Sequence, residues 1–231
     1  LISQMKNVYL RDIILRYSVQ DEAALGEVMD VIASGISTLT NPRKIASTMN
    51  SVHGTTTCDT TVDKYIGYAE EAFILTRVKR YNVKGRKYIG TPYKIYFEDI
   101  GLRNARLAFR QIEGTHIMEN IIYNELRFRG YQVDVGTVES RERDAGGKEV
   151  RIQREIDFIA TLGSKKYYIQ SAYAIPDKEK YEQETMSFER TTDSFKKIII
   201  VEKSMKPRYD ENGYLMMGVK EFLLDANSLL V

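Results

Sequence analysis

Cysteine occurs once in this chain, at Cys58. No disulfide can therefore form within it, and the reducing cytoplasm is the compartment expected for such usage. No run of 18 apolar residues is present, so neither a transmembrane helix nor a membrane partner is expected. No stretch has the make-up of a secretory signal. No G-x-x-x-x-G-K-[ST] string occurs. The nearest, Gly146-Gly147-Lys148, has Glu142 and Glu149 at its outer positions and sits in a charged turn, so ATP hydrolysis is not expected. No Ser/His/Asp signature is visible. His53, Cys58 and His116 lack zinc spacing, and ordinary surface or core roles are expected of them. Internal repeats and low-complexity segments are also missing. The chain starts at Leu1 without Met, in mid-pattern, and reads as a trimmed piece of something longer.

What is present is ordinary globular composition, with 43% hydrophobic and 29% charged residues over 231 positions, enough for one large or two small domains. The net charge is only +2. Residues 1–114 carry the basic excess and residues 115–231 are slightly acidic, a weak imbalance for a nucleic-acid binder unless it is concentrated somewhere.

Taken in order, Asn7 to Tyr17 reads as a helix capped by Asn7. Glu22 to Ile36 reads as an amphipathic helix with Asp21 as its cap. Asn41-Pro42 pairs a cap with proline at the first helical position and predicts a short helix to about Asn50. A turn over Ser51–Cys58 and a longer helix from Asp59 through Phe73 complete a helix-turn-helix arrangement. The period then changes. Phe73 to Tyr81 turns β-rich, Lys84-Gly85-Arg86-Lys87 is a turn, and Tyr93 to Phe97 alternates as a strand. Helix-turn-helix followed by a β-hairpin is the winged-helix plan. Lys79, Arg80, Lys84, Arg86, Lys87 and Lys94 all fall on that hairpin, where they can contact phosphates. The plainer reading is a solvated edge that lysines protect from aggregation. Gln111 to Gly114 is the expected boundary, giving domains 1–112 and 113–231.

The second part opens with a helix over His116–Gly130. Strand-like runs follow at Tyr131–Val135, Arg154–Ala160 and Lys166–Tyr173. A polar helix from Asp177 to about Arg190 leads to a buried strand, Lys197–Val201. A turn region over Lys206–Gly213 and a closing helix or strand over Val219–Leu224 end the chain. The order is α-β-β-β-α-β, with Glu119 on the first helix and Asp157 on a middle strand. This resembles the PD-(D/E)xK nuclease core and implies a restriction-endonuclease-like αβββαβ domain with a mixed central sheet. Ile156 and Phe158, flanking Asp157, are expected to share the opposite, core-facing side because strand side chains alternate.

A wider resemblance covers nearly the whole chain. Leu10-Arg-Asp-Ile-Ile14, Thr61-Val-Asp-Lys-Tyr65, Tyr93 through Ala105, Met118 through Leu126, Glu155-Ile-Asp-Phe158 and Tyr168-Ile-Gln170 carry it. Together they resemble the C-terminal region of bacterial and archaeal AAA-type ATP-binding proteins, which have an ATPase domain, a winged helix and then a nuclease-like domain. The resemblance implies an upstream ATPase domain, which would be the partner of this stretch and the place where ATP binds.

Nucleases of this class hold Mg²⁺ with carboxylates on adjacent strands and use a lysine two residues beyond the second acid. Asp157 matches the first strand acid, and Glu119 matches the frequent helix acid. Gln170 stands where the second acid is expected, and Ala172 where the lysine is expected. Metal binding thus falls to Glu119 and Asp157, with Lys178 or Lys180 as a relocated lysine. The alternative is that Glu119 is a helix-surface residue and Asp157 a hydrogen-bonded strand residue. Tyr167-Tyr168 and Tyr88/Tyr93 are candidates for base stacking, with sheet packing the commoner use. The leading expectation is a non-catalytic module for DNA or protein contact. A Mg²⁺-dependent DNA nuclease and an oligomerisation scaffold are the competing readings.

Overall fold

A computed structural model describes residues 2–54, 56–143 and 147–230, and their side chains apart from those of residues 6–8, 53 and 142. Gly146 and the side chains of Asn7, Val8 and His53 therefore lie outside the described residues. The chain divides into two compact units, Leu1–Val78 with Thr91–Asn120, and Lys79–Gly90 with Ile121–Val231.

The first unit is mostly helical. Helix α1 (Ile2–Gln4) runs through a π-helical turn (Met5–Leu10) into α2 (Arg11–Tyr17), so Asn7 lies inside the helical segment rather than at its start. Helix α3 (Glu22–Ser34) begins where the Asp21 carboxylate accepts the N–H of Ala24. Helix α4 (Pro42–His53) begins where the Asn41 side chain accepts the N–H of Lys44 at 2.8 Å. Each bond satisfies a donor that the first helical turn leaves without a partner. Helix α4 outruns the expected end at Asn50 and closes on Gly54, whose φ of 66° is the left-handed conformation that favours glycine. Helix α5 (Asp59–Glu71) follows. The apolar stripe of α3 (Leu25, Val28, Met29 and Ile32) packs with Ile45 and Met49 of α4 and Val62 and Ile66 of α5. Strands β1 (Leu75–Asn82) and β2 (Lys87–Phe97) then form the hairpin. Ile95 and Phe97, at the end of β2, join that same core. Helix α6 (Ile100–Arg106) starts on Asp99, whose carboxylate accepts the N–H groups of Gly101 and Leu102. It carries Arg103, fully buried, whose guanidinium donates to the carbonyls of Ala33 at 2.8 Å and Gln111 at 2.6 Å.

Helix α7 (Gly114–Phe128) passes from the first unit into the second without a break, and Asn120 and Ile121 fall on either side of the division. A continuous helix explains why the division falls inside an element and not at a loop. The outer part of the hairpin, Lys79–Gly90, counts with the second unit because β1 pairs parallel with β3 (Gln132–Arg143) at Arg80↔Val135 to Asn82↔Thr137.

The rest of the second unit is built on a mixed sheet. Strand β4 (Glu149–Leu162) runs antiparallel to β3, and β5 (Lys165–Ala172) antiparallel to β4. Helix α8 (Lys178–Glu189) leads to β6 (Lys196–Val201), parallel to β5. Short strands β7 (Arg208–Tyr209) and β8 (Leu215–Gly218), helix α9 (Val219–Leu224) and a 3-10 turn (Ser228–Leu230) close the chain. Among the described residues, eight strands join in the order β2-β1-β3-β4-β5-β6-β8-β7. The α-β-β-β-α-β succession is present, in a mixed α/β architecture.

The expected strand phase at Asp157 needs correction. Ile156 and Phe158 are both fully buried, as expected. However, the β3/β4 register passes from Asp134↔Ile159 to Gly136↔Ile156, so β4 advances one residue more than β3. This is a β-bulge at Asp157-Phe158. Ile156 and Ile159, not Ile156 and Phe158, therefore pack into one cluster, with Val138, Tyr168, Ala172 and Phe188. Gly136 lies opposite, and a Cβ there would stand 2.8 Å from the Cβ of Ile156 and 3.1 Å from Cγ1 of Ile159.

Candidate functional site

The bulge determines the setting of Asp157, which is 7% exposed. Its Oδ2 accepts the N–H of Ser171 on the neighbouring strand at 2.9 Å. Its own N–H donates to Oε1 of Gln170 at 3.4 Å. The Gln170 amide then reaches the other way, with Nε2 donating to Oε2 of Glu184 on α8 at 3.4 Å. The Lys180 ammonium lies 2.6 Å from Oε1 of that same Glu184, one helical turn away. Asp157, Gln170, Glu184 and Lys180 thus form one relay across β4, β5 and α8. Lys178 lies apart, 3.7 Å from Glu182 on the exposed side of the helix.

Such a relay organises carboxylates but does not converge them on a cation. Asp157 is engaged by a backbone donor, and Glu184 is already matched by an ammonium. Among the described residues no group of three His, Cys, Asp or Glu side chains is placed to hold a metal ion. Ala172, at the position where the resemblance expects a lysine, is 1% exposed and packed in the cluster with Phe188. That position accommodates a methyl group, and a four-carbon cation would have to break the packing.

Glu119 belongs to the first unit. It is not the helix-surface residue of the alternative reading, since it is only 7% exposed. Its Oε1 accepts from the Lys94 ammonium at 2.8 Å and from the Tyr96 hydroxyl at 2.7 Å. Asn120 beside it brackets the backbone of Phe97, accepting its N–H and donating to its carbonyl. Breaking one partner of such a buried pair leaves an uncompensated charge.

The six hairpin cations therefore do not form one surface. Lys94 is 3% exposed and held by Glu119. Arg80 is 8% exposed and donates to the Gln153 side chain at 3.4 Å. Both leave the set expected to contact phosphates, because their charges point into protein. Lys79, Lys84, Arg86 and Lys87 remain exposed. The residues from Lys79 to Gly90 hold five cations and no carboxylate. Of the tyrosines expected to stack bases, Tyr93, Tyr167 and Tyr168 are buried, and only Tyr88 is exposed.

Glu184 carries no sequence signal beyond its i,i+4 spacing from Lys180, and the Lys94–Glu119 pair carries none. Cys58 is also more reactive in setting than its isolation suggests. Hydrogen bonds from the Thr60 and Thr61 hydroxyls lower the thiol to about 7. His116 lies 3.7 Å from Glu113.

The fold and site thus define a mixed α/β protein in which the Gln170 amide links the Asp157 backbone N–H at a sheet bulge to the Glu184 carboxylate. Residues 2–113 match a family described as a domain of unknown function, DUF8612. An uncharacterized protein of Haemophilus influenzae is 33% identical over 218 residues, covering 94% of this chain and 50% of that protein. The chain therefore spans about half the length of this curated relative. A crystal structure of protein VC1899 from Vibrio cholerae aligns over 99% of this chain and 55% of its own, at 13% identity and a TM-score of 0.32.

Proposed function

We propose that this chain is an accessory part of a longer AAA-type ATPase, a winged-helix domain followed by a restriction-endonuclease-like module that does not cut. It contacts the nucleic-acid backbone through the tip of its hairpin. ATP belongs to the ATPase domain upstream. The observation that carries the reading is the tip itself, in which Lys79, Lys84, Arg86 and Lys87 are exposed within a stretch free of carboxylates. Neutralising phosphates with such cations releases condensed counterions, the main source of sequence-independent affinity. The α7-β3-β4-β5-α8-β6 succession supports the nuclease-like part. The chemistry at Asp157 supports loss of cutting. Hard divalent cations such as Mg²⁺ select anionic oxygen, and Gln170 offers a neutral amide whose oxygen already accepts the Asp157 backbone N–H and whose nitrogen donates to Glu184.

The test is DNA binding by the whole chain as a function of salt. Arg86→Ala with Lys87→Ala should weaken binding equally on unrelated sequences and flatten the salt dependence by roughly one unit of slope per lost phosphate contact. Wild type that shows no salt-sensitive binding at low ionic strength would remove the reading. Neither Mg²⁺ nor Mn²⁺ should elicit cleavage of single- or double-stranded DNA. Robust cleavage abolished by Asp157→Asn would make the module an enzyme after all.

A further inference from the structure

The tip continues into a row of rings and charges within the second unit. Tyr88, beside Lys87, is 61% exposed, and its ring meets that of Tyr81 edge to face at 5.3 Å. The Lys166 ammonium lies 5.8 Å from the centre of the Tyr81 ring and 5.0 Å from the centre of the Phe195 ring. Phe195 is 39% exposed. Asp134 and Asp193 accept from tyrosines of this row and beside it. Asp134 takes the Tyr88 hydroxyl at 3.1 Å, and Asp193 takes the Tyr168 hydroxyl at 2.7 Å. Burial pushes the Asp134 carboxyl up, while the Tyr88 hydroxyl and Lys166 oppose that shift.

Buried rings need no ligand to explain them, but exposed rings at both ends of a row that holds a half-buried ring and an ammonium, joined to an all-cationic tip, are different. Stacking on such rings is tolerant of sequence because every base has a π-face, while neighbouring cations follow the backbone. A duplex keeps its base faces covered by their neighbours, and an unpaired strand does not. Resting on the proposed backbone contact of the hairpin tip, we infer that the row Tyr88–Tyr81–Lys166–Phe195 is a stacking platform that makes the module select single-stranded over double-stranded nucleic acid.

The experiment is fluorescence anisotropy of the whole chain with a mixed-sequence oligonucleotide of about 12 nucleotides, within the size range of single-strand sites. The oligonucleotide is offered alone and as a duplex, at low salt. Wild type should prefer the single strand. Tyr88→Leu and Phe195→Leu should each lower single-strand affinity at least about fivefold and leave duplex affinity unchanged. Tyr88→Phe, which keeps the ring and loses the bond to Asp134, should behave as wild type. Thermal melting of each variant identifies a loss due to unfolding. Equal affinity for both forms, or ring variants that leave the preference intact, would overturn the platform while the hairpin contact stood. Salt-insensitive or absent binding to both forms would remove the hairpin contact and the platform together.

Discussion

A Cβ at Gly136 would collide with the side chains of Ile156 and Ile159, and this one missing methyl group is what allows the bulge that orients Asp157. Gly136→Ala should cost about 1–3 kcal/mol, the usual range for overpacking a filled core, read as a lowered denaturant midpoint with an unchanged slope. No such requirement could be read from the sequence, where Gly136 is an ordinary glycine between valine and threonine. Asp157 and Gln170 could be read as a pair from the resemblance that set them on neighbouring strands, although alternation missed the bulge after Asp157. Their link to Glu184 could not, because it joins a strand to a helix through packing. Cys58 offers a chemical check on local geometry. Its alkylation by iodoacetamide should rise with pH and reach half its plateau near 7, because the thiolate is the reactive form. Replacing Thr60 and Thr61 with valine removes the hydroxyl donors and should move that midpoint upward. A midpoint unchanged by both substitutions would mean that the hydroxyls do not set it.

At the scale of elements, helix starts were the most legible feature. Asp21 and Asn41 act as the caps their sequence suggests, since a cap bond spans only three residues. Asn41→Ala should therefore cost about 1 kcal/mol of stability by thermal denaturation. A cost near zero would mean that water replaces the bond to the Lys44 N–H. Strand lengths were read too short. The expected runs Tyr131–Val135 and Arg154–Ala160 extend to Gln132–Arg143 and Glu149–Leu162. The added stretches alternate polar or charged residues with Val138, Val150 and Ile152, and pair across the ribbon through contacts such as Arg151 with Glu139. The charged residues obscured that alternation, and the partners that stabilise them lie on another strand. The strand at Leu215–Gly218 was missed for a related reason, since only its parallel pairing with β6 defines it. Lys94 shows the converse error. Its place on a cationic hairpin suggested a surface role, but a carboxylate distant in sequence draws it inside.

For the whole molecule, the mixed α/β organisation followed from the change of period along the chain. Where one unit ends was harder to read. Compactness counts the tip Lys79–Gly90 with the later unit, whereas local pattern groups it with the hairpin's own helices. A fragment of residues 113–231 would lack β1, leaving the β3 backbone at Val135–Thr137 unpaired along that edge. Exposed edges of this kind template association. Light scattering after size exclusion should show the fragment aggregating more than the full chain at equal concentration. A fragment as soluble and as heat-stable as the full chain would make β1 dispensable.

The same threading has a bearing on descent. The polypeptide leaves the first unit at Val78, returns at Thr91 and leaves again after Asn120. No single codon divides the gene into two stretches that each encode a complete unit. Recombination moves contiguous segments, so an exchange with one breakpoint inside the chain would hand on a hairpin tip without its sheet, or a sheet without its outer strands. A cut inside this stretch therefore costs at least one of the two units part of its chain, whichever codon it falls on.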